Sequence, residues 1–267
     1  MTRRSWIAVS LLGIIFLIAL GANVLAPAPY AQQFRNDTDR APSHQFPLGT
    51  DELGRDRLSR LLYGMRISLL LAPAAALIST LLAAVIGGAG AYVGGIWDRA
   101  TKLLIDLFLS LPWLFLLLTV RALLPLDIPA VTSVVVTFAL LGVLGWAASA
   151  RIVAASVRSL RDSDFVLQAR AAGCPPARLL VQHVLPNVKP VLLAQFWISI
   201  PLFILTEANL GMLGLGVTEP LPSWGNLLRE LENYSALRHS PWLWMPLISL
   251  VLVVSLLQLT LAEEEYS

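Results

Sequence analysis

Apolar and polar stretches alternate along the chain with a spacing that suits a lipid bilayer. Six stretches are long and almost free of charge, and a helix needs about 20 apolar residues to cross the hydrocarbon core. They cover residues 6–22, 67–97, 103–120, 128–150, 190–215 and 240–262. The pattern predicts an all-α membrane protein with six transmembrane helices.

The first apolar stretch has two interpretations. It follows Arg3 and Arg4, as the core of a cleavable signal peptide would, but it also has nearly the length of a spanning helix. With one polar interruption at Asn23, the apolar run continues to Ala28, which is longer than the roughly 7–15 residues of a signal core. We therefore favour a first transmembrane helix that stays in the protein.

A polar, proline-containing segment, residues 27–66, separates the first two apolar stretches. It carries six arginines and five acidic residues, so we expect it outside the membrane. Its last part has apolar residues at helical spacing and predicts an amphipathic helix on the bilayer surface or on neighbouring elements. The apolar positions are Leu58, Leu61, Leu62 and Met65. Thr50 or Asp51 is the predicted cap, and residues 54–56 form a charge-paired bend.

A second polar segment, residues 151–189, separates the fourth and fifth apolar stretches. Six of its residues are lysine or arginine, against the two acids Asp162 and Asp164. Because cytoplasmic loops carry an excess of basic residues, we predict that this segment and both termini are cytoplasmic. This assignment to the cytoplasm is weakened by the six arginines of residues 27–66, because the positive-inside rule counts basic residues and not net charge.

Residues 164–187 predict two short helices joined by a sharp corner. Asp162, Ser163 or Asp164 can cap the first helix, whose apolar positions recur every three or four residues. Gly173 is predicted to end it, because glycine adopts the left-handed conformation that closes helices. Two prolines then suit the first turn of a second helix at residues 177–185. From this pattern alone, a simple connector between membrane helices is an equal alternative.

Composition excludes several classes of protein. Hydrophobic residues make up 57% of the 267 residues and charged residues 13%, and mean hydropathy is +0.72. That leaves too little polar surface for a soluble globule. The net charge of +2 does not argue for nucleic-acid binding, the single Cys174 excludes an internal disulfide, and there is no phosphate-binding loop. We therefore expect no cofactor and no metal on this chain, and no catalytic residues.

Histidine positions test one alternative, an intramembrane enzyme. His44, His183 and His239 lie far apart and belong to no metal-binding motif, so a metalloprotease has little support. A passive channel is a second alternative, since apolar helices with one buried acid could line a pore.

One acidic residue, Glu207, lies deep in an apolar stretch, with Asn209 close behind it. Charge is costly in lipid, so such a residue indicates a translocation pathway or a subunit interface. The glycines that follow within a few residues leave a second interpretation, a helix end at the membrane interface.

Three features of the corner carry a resemblance: Ala169, Gly173 four residues later, and Leu185-Pro186 twelve residues beyond that. This spacing resembles the cytoplasmic EAA signature of permease subunits in binding-protein-dependent ABC importers. His183 and Asn187 match its form in the dipeptide, oligopeptide and nickel group. Where the family usually has Glu and Ala, this chain has Leu167 and Gln168.

Other stretches are similar to the same group. The segment before the second apolar stretch matches at Gly49, Thr50, Asp51, Gly54, Arg55 and Asp56. Residues 207–217 and 222–226 are similar to the end of the family's fifth span and the loop after it. The last five residues depart from the family's usual, longer ending, so no function of that tail is carried over.

The resemblance implies a type I ABC importer permease fold and a coupling surface for an ATPase. On that surface it places Phe165, Ala169, Ala172, Gly173, His183, Leu185, Pro186 and Asn187. It also implies a second homologous permease subunit, two ATPase subunits that hold ATP-Mg and hydrolyse it, and an extracytoplasmic solute-binding protein. This chain itself would be no enzyme. Peptide is the family's commonest cargo, and nickel or another small solute is the alternative.

The same implications give a two-part organisation of the chain. Residues 1–66 are predicted to be an N-terminal transmembrane anchor with the extracytoplasmic amphipathic segment. Residues 67–267 are predicted to be a permease core of five transmembrane helices, with the cytoplasmic coupling loop at residues 151–189. The expected location is the cell inner membrane.

Overall fold

The computed structural model describes residues 3–123, 128–232 and 240–264, and its regular structure is helical. The one β-type pairing among these residues is an isolated bridge between Thr50 and Asp56. The α-helices are α1 (Arg3–Leu20), α2 (Ala22–Leu25), α3 (Arg57–Leu82), α4 (Ala89–Val93), α5 (Gly95–Ser110), α6 (Trp113–Ala122), α7 (Ala130–Leu144), α8 (Trp146–Arg161), α9 (Asp164–Ala171), α10 (Pro176–Leu179), α11 (Leu185–Met212), α12 (Trp224–Leu228) and α13 (Met245–Glu264). Shorter π-helical and 3₁₀ segments are Ala83–Gly88, Leu180–Val184, Arg229–Glu232 and Pro241–Trp244.

Four continuous helices among the described residues are long and apolar enough to cross a membrane: Arg57–Val93, Ala130–Arg161, Pro176–Met212 and Pro241–Leu261. Helices α5 and α6 qualify only together, as a pair bent by 80° that counts as a fifth candidate span. At the amino end, residues Trp6–Leu20 form a shorter apolar helix. Many large apolar side chains on these helices are exposed, as lipid-facing residues are. The chain is therefore a multi-pass membrane protein.

The bend between α5 and α6 lies at a proline inside a predicted span. Leu111 is extended, with φ −86° and ψ 134°, because the ring of Pro112 disfavours the helical region for the residue before it. The helix therefore stops at Ser110 and restarts at Trp113.

Helix α3 begins earlier than predicted and carries the amphipathic positions on its first turns. Leu61, Leu62 and Met65 are buried, so this face packs on neighbouring elements of the protein. Of the two predicted locations, bilayer surface or neighbours, the structure shows the second. The predicted caps Thr50 and Asp51 are wrong, because Asp56 precedes the helix and accepts hydrogen bonds from the Ser59 N–H (2.7 Å) and Oγ (2.6 Å).

Helices α8 and α11 extend into the predicted polar segment. Residues Ala130–Arg161 and Pro176–Met212 are helical, so the non-helical connection is shorter than the apolar pattern indicates. Charged residues mark where the apolar run ends, but they do not end a helix. The Arg158 Nε lies 3.2 Å from an Asp98 oxygen, and Arg161 donates to the Ala91 carbonyl at 2.8 Å.

The described chain forms two compact units. Unit 1 contains residues 1–72, 121–138 and 201–267, and unit 2 contains residues 73–120 and 139–200. In unit 1, α1 and α12 pack against α13. The predicted division of the chain at residue 66 concerns its placement in the membrane and stays a prediction.

Unit 2 has a core of small and branched apolar residues around Trp146, between the π-helical segment Ala83–Gly88 and α8. At Gly87 an added Cβ would lie 2.6 Å from the Ala150 carbonyl oxygen. The missing side chain therefore allows the two helical segments to pack closely here.

Candidate functional site: the helical corner at Gly173

The predicted corner is present in unit 2, and its first helix ends as predicted. Gly173 has φ +83°, in the left-handed region. The Cys174 N–H donates to the Ala169 carbonyl at 3.1 Å and the Gly173 N–H donates to the Arg170 carbonyl at 3.0 Å. These two bonds form a Schellman motif, which satisfies carbonyls at a helix end. No heavy atom would lie within 4 Å of a Cβ at Gly173, so only the backbone conformation favours glycine there.

The start of α9 differs from the predicted capping. Ser163 occupies the N-cap position, but its hydroxyl donates to the Leu160 carbonyl at 2.5 Å and caps no N–H. Asp164 lies in the first turn, where a negative charge favours the helix dipole. The carboxylate of exposed Asp162 accepts a hydrogen bond from the Arg161 Nε at 3.0 Å, and this bond lowers the pKa of the Asp162 carboxyl.

The second helix begins at Pro176 with proline in its first turn, one residue before the predicted start. It does not stop at Leu185 but continues through Leu180–Val184 into α11. Tyr92 on α4 donates its hydroxyl to the Pro176 carbonyl at 2.6 Å. Sequence reasoning missed this contact because the two residues are 84 positions apart. The corner is therefore joined to a long helix and tied to a second one.

The predicted coupling residues lie on α9, at Ala172 and Gly173, and on the helix that follows the corner. The rings of Phe165 and His183 have centroids 6.5 Å apart, and Asn187 Nδ2 donates to the His183 carbonyl at 2.7 Å. Ala169 and His183 are half-buried, whereas the other predicted positions are exposed: Phe165, Ala172, Gly173, Leu185, Pro186 and Asn187.

Exposed apolar side chains surround the corner. Leu167 and Val181 are 45% and 60% exposed, in addition to Phe165 and Leu185. Leu167 occupies the position at which the permeases that the corner resembles usually have glutamate. Exposed apolar patches mark sites of contact with a protein or with the membrane.

A second group of predicted residues lies in unit 1, before α3. Gly49 and Gly54 have φ of +71° and +73°, and a Cβ at either would collide with a backbone carbonyl, of Arg40 and Phe34 respectively. Buried Thr50 donates its hydroxyl to the Asp37 carbonyl. This stretch therefore needs glycine twice for physical reasons.

Asp51 organises the bend that follows. Its carboxylate accepts from the N–H groups of Leu53 (3.0 Å) and Arg55 (2.8 Å), and from the Arg55 Nε at 2.7 Å. The predicted bend at residues 54–56 is present, but its charge pairing differs from the prediction, because Arg55 pairs with Asp51 and Asp56 accepts from Ser59. Burial opposes the charge of Arg55, but Glu219 and Asp51 outweigh it and raise the pKa of its guanidinium.

Two acids that sequence reasoning missed complete this network. Glu219 binds both Arg55 (2.6 Å) and Arg60 (2.8 Å), and Glu230 binds the Arg57 Nε at 3.0 Å. Burial raises the pKa of Glu230 although the charge of Arg57 lowers it. The partners lie more than 150 positions apart in sequence, so no local signal could reveal these pairs.

Glu207 on α11 is fully buried within unit 1. The Ser68 hydroxyl donates to its Oε2 at 3.3 Å, and Ser223 and the Gly225 backbone also interact with the carboxylate. Asn209, two residues further on, is exposed. The structure therefore does not bring the two predicted pathway residues to one surface, because positions two apart lie on different helix faces.

Residues 222–226 form a compact capped turn beside Glu207. Ser223 and Asn226 make a capping box, in which the Ser223 N–H donates to Asn226 Oδ1 at 2.7 Å. Gly211 and Gly225 pack backbone to backbone, and a Cβ at Gly211 would meet the backbone of Gly225. Sequence reasoning also missed Arg121, a buried residue that donates to Ser133 at 2.7 Å and to the Leu215 carbonyl at 3.1 Å.

Within the described ranges, no three histidine, cysteine or acidic side chains group as a metal site would need. His239, one of the three histidines considered, lies outside those ranges.

Comparison with known proteins supports the same reading of these motifs. The family model of binding-protein-dependent transport system inner membrane components matches residues 59–262. The oligopeptide transport system permease protein OppC of Bacillus subtilis is 30% identical over 90% of this chain and 76% of its own length. The dipeptide transport system permease protein DppC of the same organism is 33% identical over 81% of this chain and 66% of its own.

A third relative is the dipeptide transport system permease protein DppC of Alkalihalophilus pseudofirmus. It is 30% identical over 89% of this chain and 76% of its own length. The family match includes α9, the Gly173 corner and Glu207, and it confirms the resemblance to importer permeases. The chain belongs to the family of inner membrane components of binding-protein-dependent transport systems.

Proposed function

We propose that this chain is a transmembrane permease subunit of an ATP-driven ABC importer that carries dipeptides and oligopeptides. The observation that carries the proposal is the Gly173 corner, whose two helices carry exposed apolar residues. The cargo follows from the names of the relatives, which are oligopeptide and dipeptide permeases. An extracytoplasmic binding protein would deliver the peptide.

The corner can transmit movement because it is rigidly joined to the membrane helices. The helix from Pro176 is continuous to Met212, and Tyr92 ties its first residue to α4. When ATP brings two partner ATPases together, a corner docked on one of them moves with it. Both attached helices then shift, which opens the pathway alternately to each side of the membrane.

We further propose the partners and the topology. A second homologous permease completes the pathway, and two ATPase subunits bind ATP-Mg and hydrolyse it, so this chain needs no cofactor and catalyses nothing itself. Six membrane passages result when the bent pair α5 and α6 counts as one span and α1 as another. Both termini and the Gly173 corner would then be cytoplasmic, and residues 27–66 extracytoplasmic.

Cys174 provides a test of this topology without an engineered residue. It is the only cysteine and is partly exposed beside Gly173. A membrane-impermeant maleimide is expected to leave it unlabelled in intact cells and to label it after permeabilisation. The measurement is the mass shift of the purified chain, and efficient labelling of intact cells would reverse the orientation.

Glu207→Leu tests whether the buried acid contributes to transport. We expect normal insertion but reduced uptake, because Ser68 and Ser223 lose an acceptor in an apolar environment. The measurements are the amount of chain in the membrane and peptide uptake. Asn209→Leu, at an exposed position on the same helix, tests the second predicted pathway residue separately. Wild-type uptake by Glu207→Leu would remove this residue from the functional set.

Reconstitution tests the proposed function itself. The chain, its sister permease, both ATPases and the binding protein would be placed in proteoliposomes, with partners identified from adjacent genes. ATP-dependent accumulation of a labelled dipeptide or oligopeptide is expected. Accumulation of nickel instead would keep the importer but change its cargo, and ATP-independent flux would indicate a channel and contradict the proposal.

A further inference from the structure

Unit 1 contains an open polar cavity of about 670 Å³, within the roughly 300–1,000 Å³ of small-molecule sites. Its lining carries charges of both signs. The residues that matter here are Arg55, Arg60, Glu219, Glu52, Asp39 and Glu232. Mixed charge of this kind suits a zwitterion better than an apolar solute.

Two arginines of the cavity are fixed in place. The side chains of Arg55 and Arg60 are 10% and 2% exposed. Asp51 holds both from behind, with its Oδ2 2.7 Å from the Arg55 Nε and 3.7 Å from the Arg60 Nε. A guanidinium held this way keeps its position when a ligand arrives. An anion that binds to it must therefore occupy the place that Glu219 now fills.

The anion that pairs with Arg55 and Arg60 in this structure is Glu219, whose side chain is 48% exposed. Its carboxylate accepts from Arg55 Nη1 at 2.6 Å and from Arg60 Nη1 and Nη2 at 3.2 and 2.8 Å. Two buried donors that converge on one half-exposed carboxylate form a carboxylate-binding site with an internal occupant.

The cavity lining holds six acids and four arginines, but the pairing at Arg55 and Arg60 favours a replacement anion at that point. Asp51 can neutralise only one of the two arginines, and neighbouring Arg57 is already paired with Glu230 at 3.0 Å. If Glu219 leaves, one positive charge stays unpaired at a buried position, which is costly. Only another anion of similar shape removes that cost.

We propose that this cavity binds the terminal carboxylate of the arriving peptide, in exchange with Glu219. The acids Asp39 and Glu232, which also line the cavity, suit the peptide's ammonium group. The inference rests on the proposed function, since it requires peptide as the cargo. Glu219 then acts as an internal competitor that keeps the arginine pair satisfied between transport cycles.

A binding experiment on the assembled complex in nanodiscs tests this exchange. Isothermal titration calorimetry would measure the binding of tri-alanine and of its C-terminal amide. The complexes compared are wild type, Glu219→Gln and Glu52→Gln, each without the binding protein. Glu219→Gln removes the internal competitor and is expected to tighten tri-alanine binding at least about tenfold, without tightening that of the amide. Glu52→Gln removes the same charge from the same cavity but contacts neither arginine, so binding should change little.

Each alternative gives a different result. Equal affinity of Glu219→Gln for acid and amide would overturn the proposal, as would a lower thermal midpoint without tighter binding, which would make Glu219 purely structural. The Glu219→Gln complex could instead bind the isolated binding protein more tightly and bind no tri-alanine. Arg55 and Arg60 would then be contacts for the binding protein, and the proposal would be wrong.

Two further measurements complete the test. Glu219→Asp keeps the charge on a shorter side chain and should give an intermediate affinity, which provides a result even if the glutamine variant does not fold. ATP-dependent uptake by the wild-type complex is measured in parallel. Uptake without carboxylate-dependent binding would overturn this inference alone, whereas absence of uptake of any peptide would contradict the proposed function.

Discussion

Gly173→Val is expected to abolish peptide uptake and binding-protein-stimulated ATP hydrolysis while the membrane helices stay folded. Gly173 has φ +83°, and a residue with a side chain adopts this conformation only at a cost of roughly 1–2 kcal/mol. If the backbone changes instead, the bonds from Gly173 and Cys174 that close α9 are lost. In either case the exposed residues of α9 no longer present the proposed ATPase-binding surface in the original geometry.

The chain offers a matched control for this substitution. Gly95 also has a left-handed φ, +60°, and open space around its Cβ position, and it belongs to the same unit. Gly95→Val therefore carries the same kind of backbone strain away from the corner. We expect it to retain most of the uptake. Both variants would be measured for uptake and stimulated hydrolysis in proteoliposomes.

Two results would contradict the coupling role of the corner. Wild-type uptake and stimulated hydrolysis by Gly173→Val would reduce the corner to a connector. Equal loss in both valine variants would show that strain anywhere in unit 2 disables the complex. Peptide capture by the binding protein should be unchanged in every case, because that step does not involve the corner.

Asp51→Ala is expected to destabilise unit 1 by about 3–5 kcal/mol, the range for removing one partner of a buried ion pair. Asp51 is 3% exposed and is the shared acid behind Arg55 and Arg60. The substitution also leaves the N–H groups of Leu53 and Arg55 without their acceptor. Denaturant unfolding of the purified complex would measure the effect.

Glu52→Ala is the natural control, since Glu52 is the adjacent acid but is exposed. Loss of the Glu52 carboxylate should change the free energy of unfolding by no more than about 0.5 kcal/mol, because substitutions at exposed positions usually have effects of this size. Unfolding midpoints that are equal for the two alanine variants would show that the Asp51 network contributes no net stability.

The corner shows what local chemistry predicts well. The glycine, the prolines after it and the three- to four-residue apolar period all act on neighbouring positions, and the structure has the predicted helix end at Gly173 and a helix start at Pro176. The predicted side-chain cap of α9 failed because the Ser163 hydroxyl bonds the preceding turn instead.

Helix boundaries in the membrane were harder to predict. Hydropathy located the apolar stretches, but α3 begins at Arg57 and α8 continues to Arg161 because ion pairs and backbone bonds accommodate the charged residues. Pro112 was expected inside one span, and the structure instead has two helices bent by 80°. Whether a proline is tolerated or breaks a helix depends on its neighbours in space.

By itself, the sequence determined that this is an all-helical membrane protein, which family it resembles, and where its corner and glycine-dependent bends lie. These properties follow from side-chain hydropathy and from backbone preferences of adjacent residues. Only the tertiary structure decided which acids meet Arg55 and Arg60, that Tyr92 holds Pro176, and that Glu207 faces Ser68 inside unit 1. Such pairs join residues far apart along the chain, so they exist only once helices have packed.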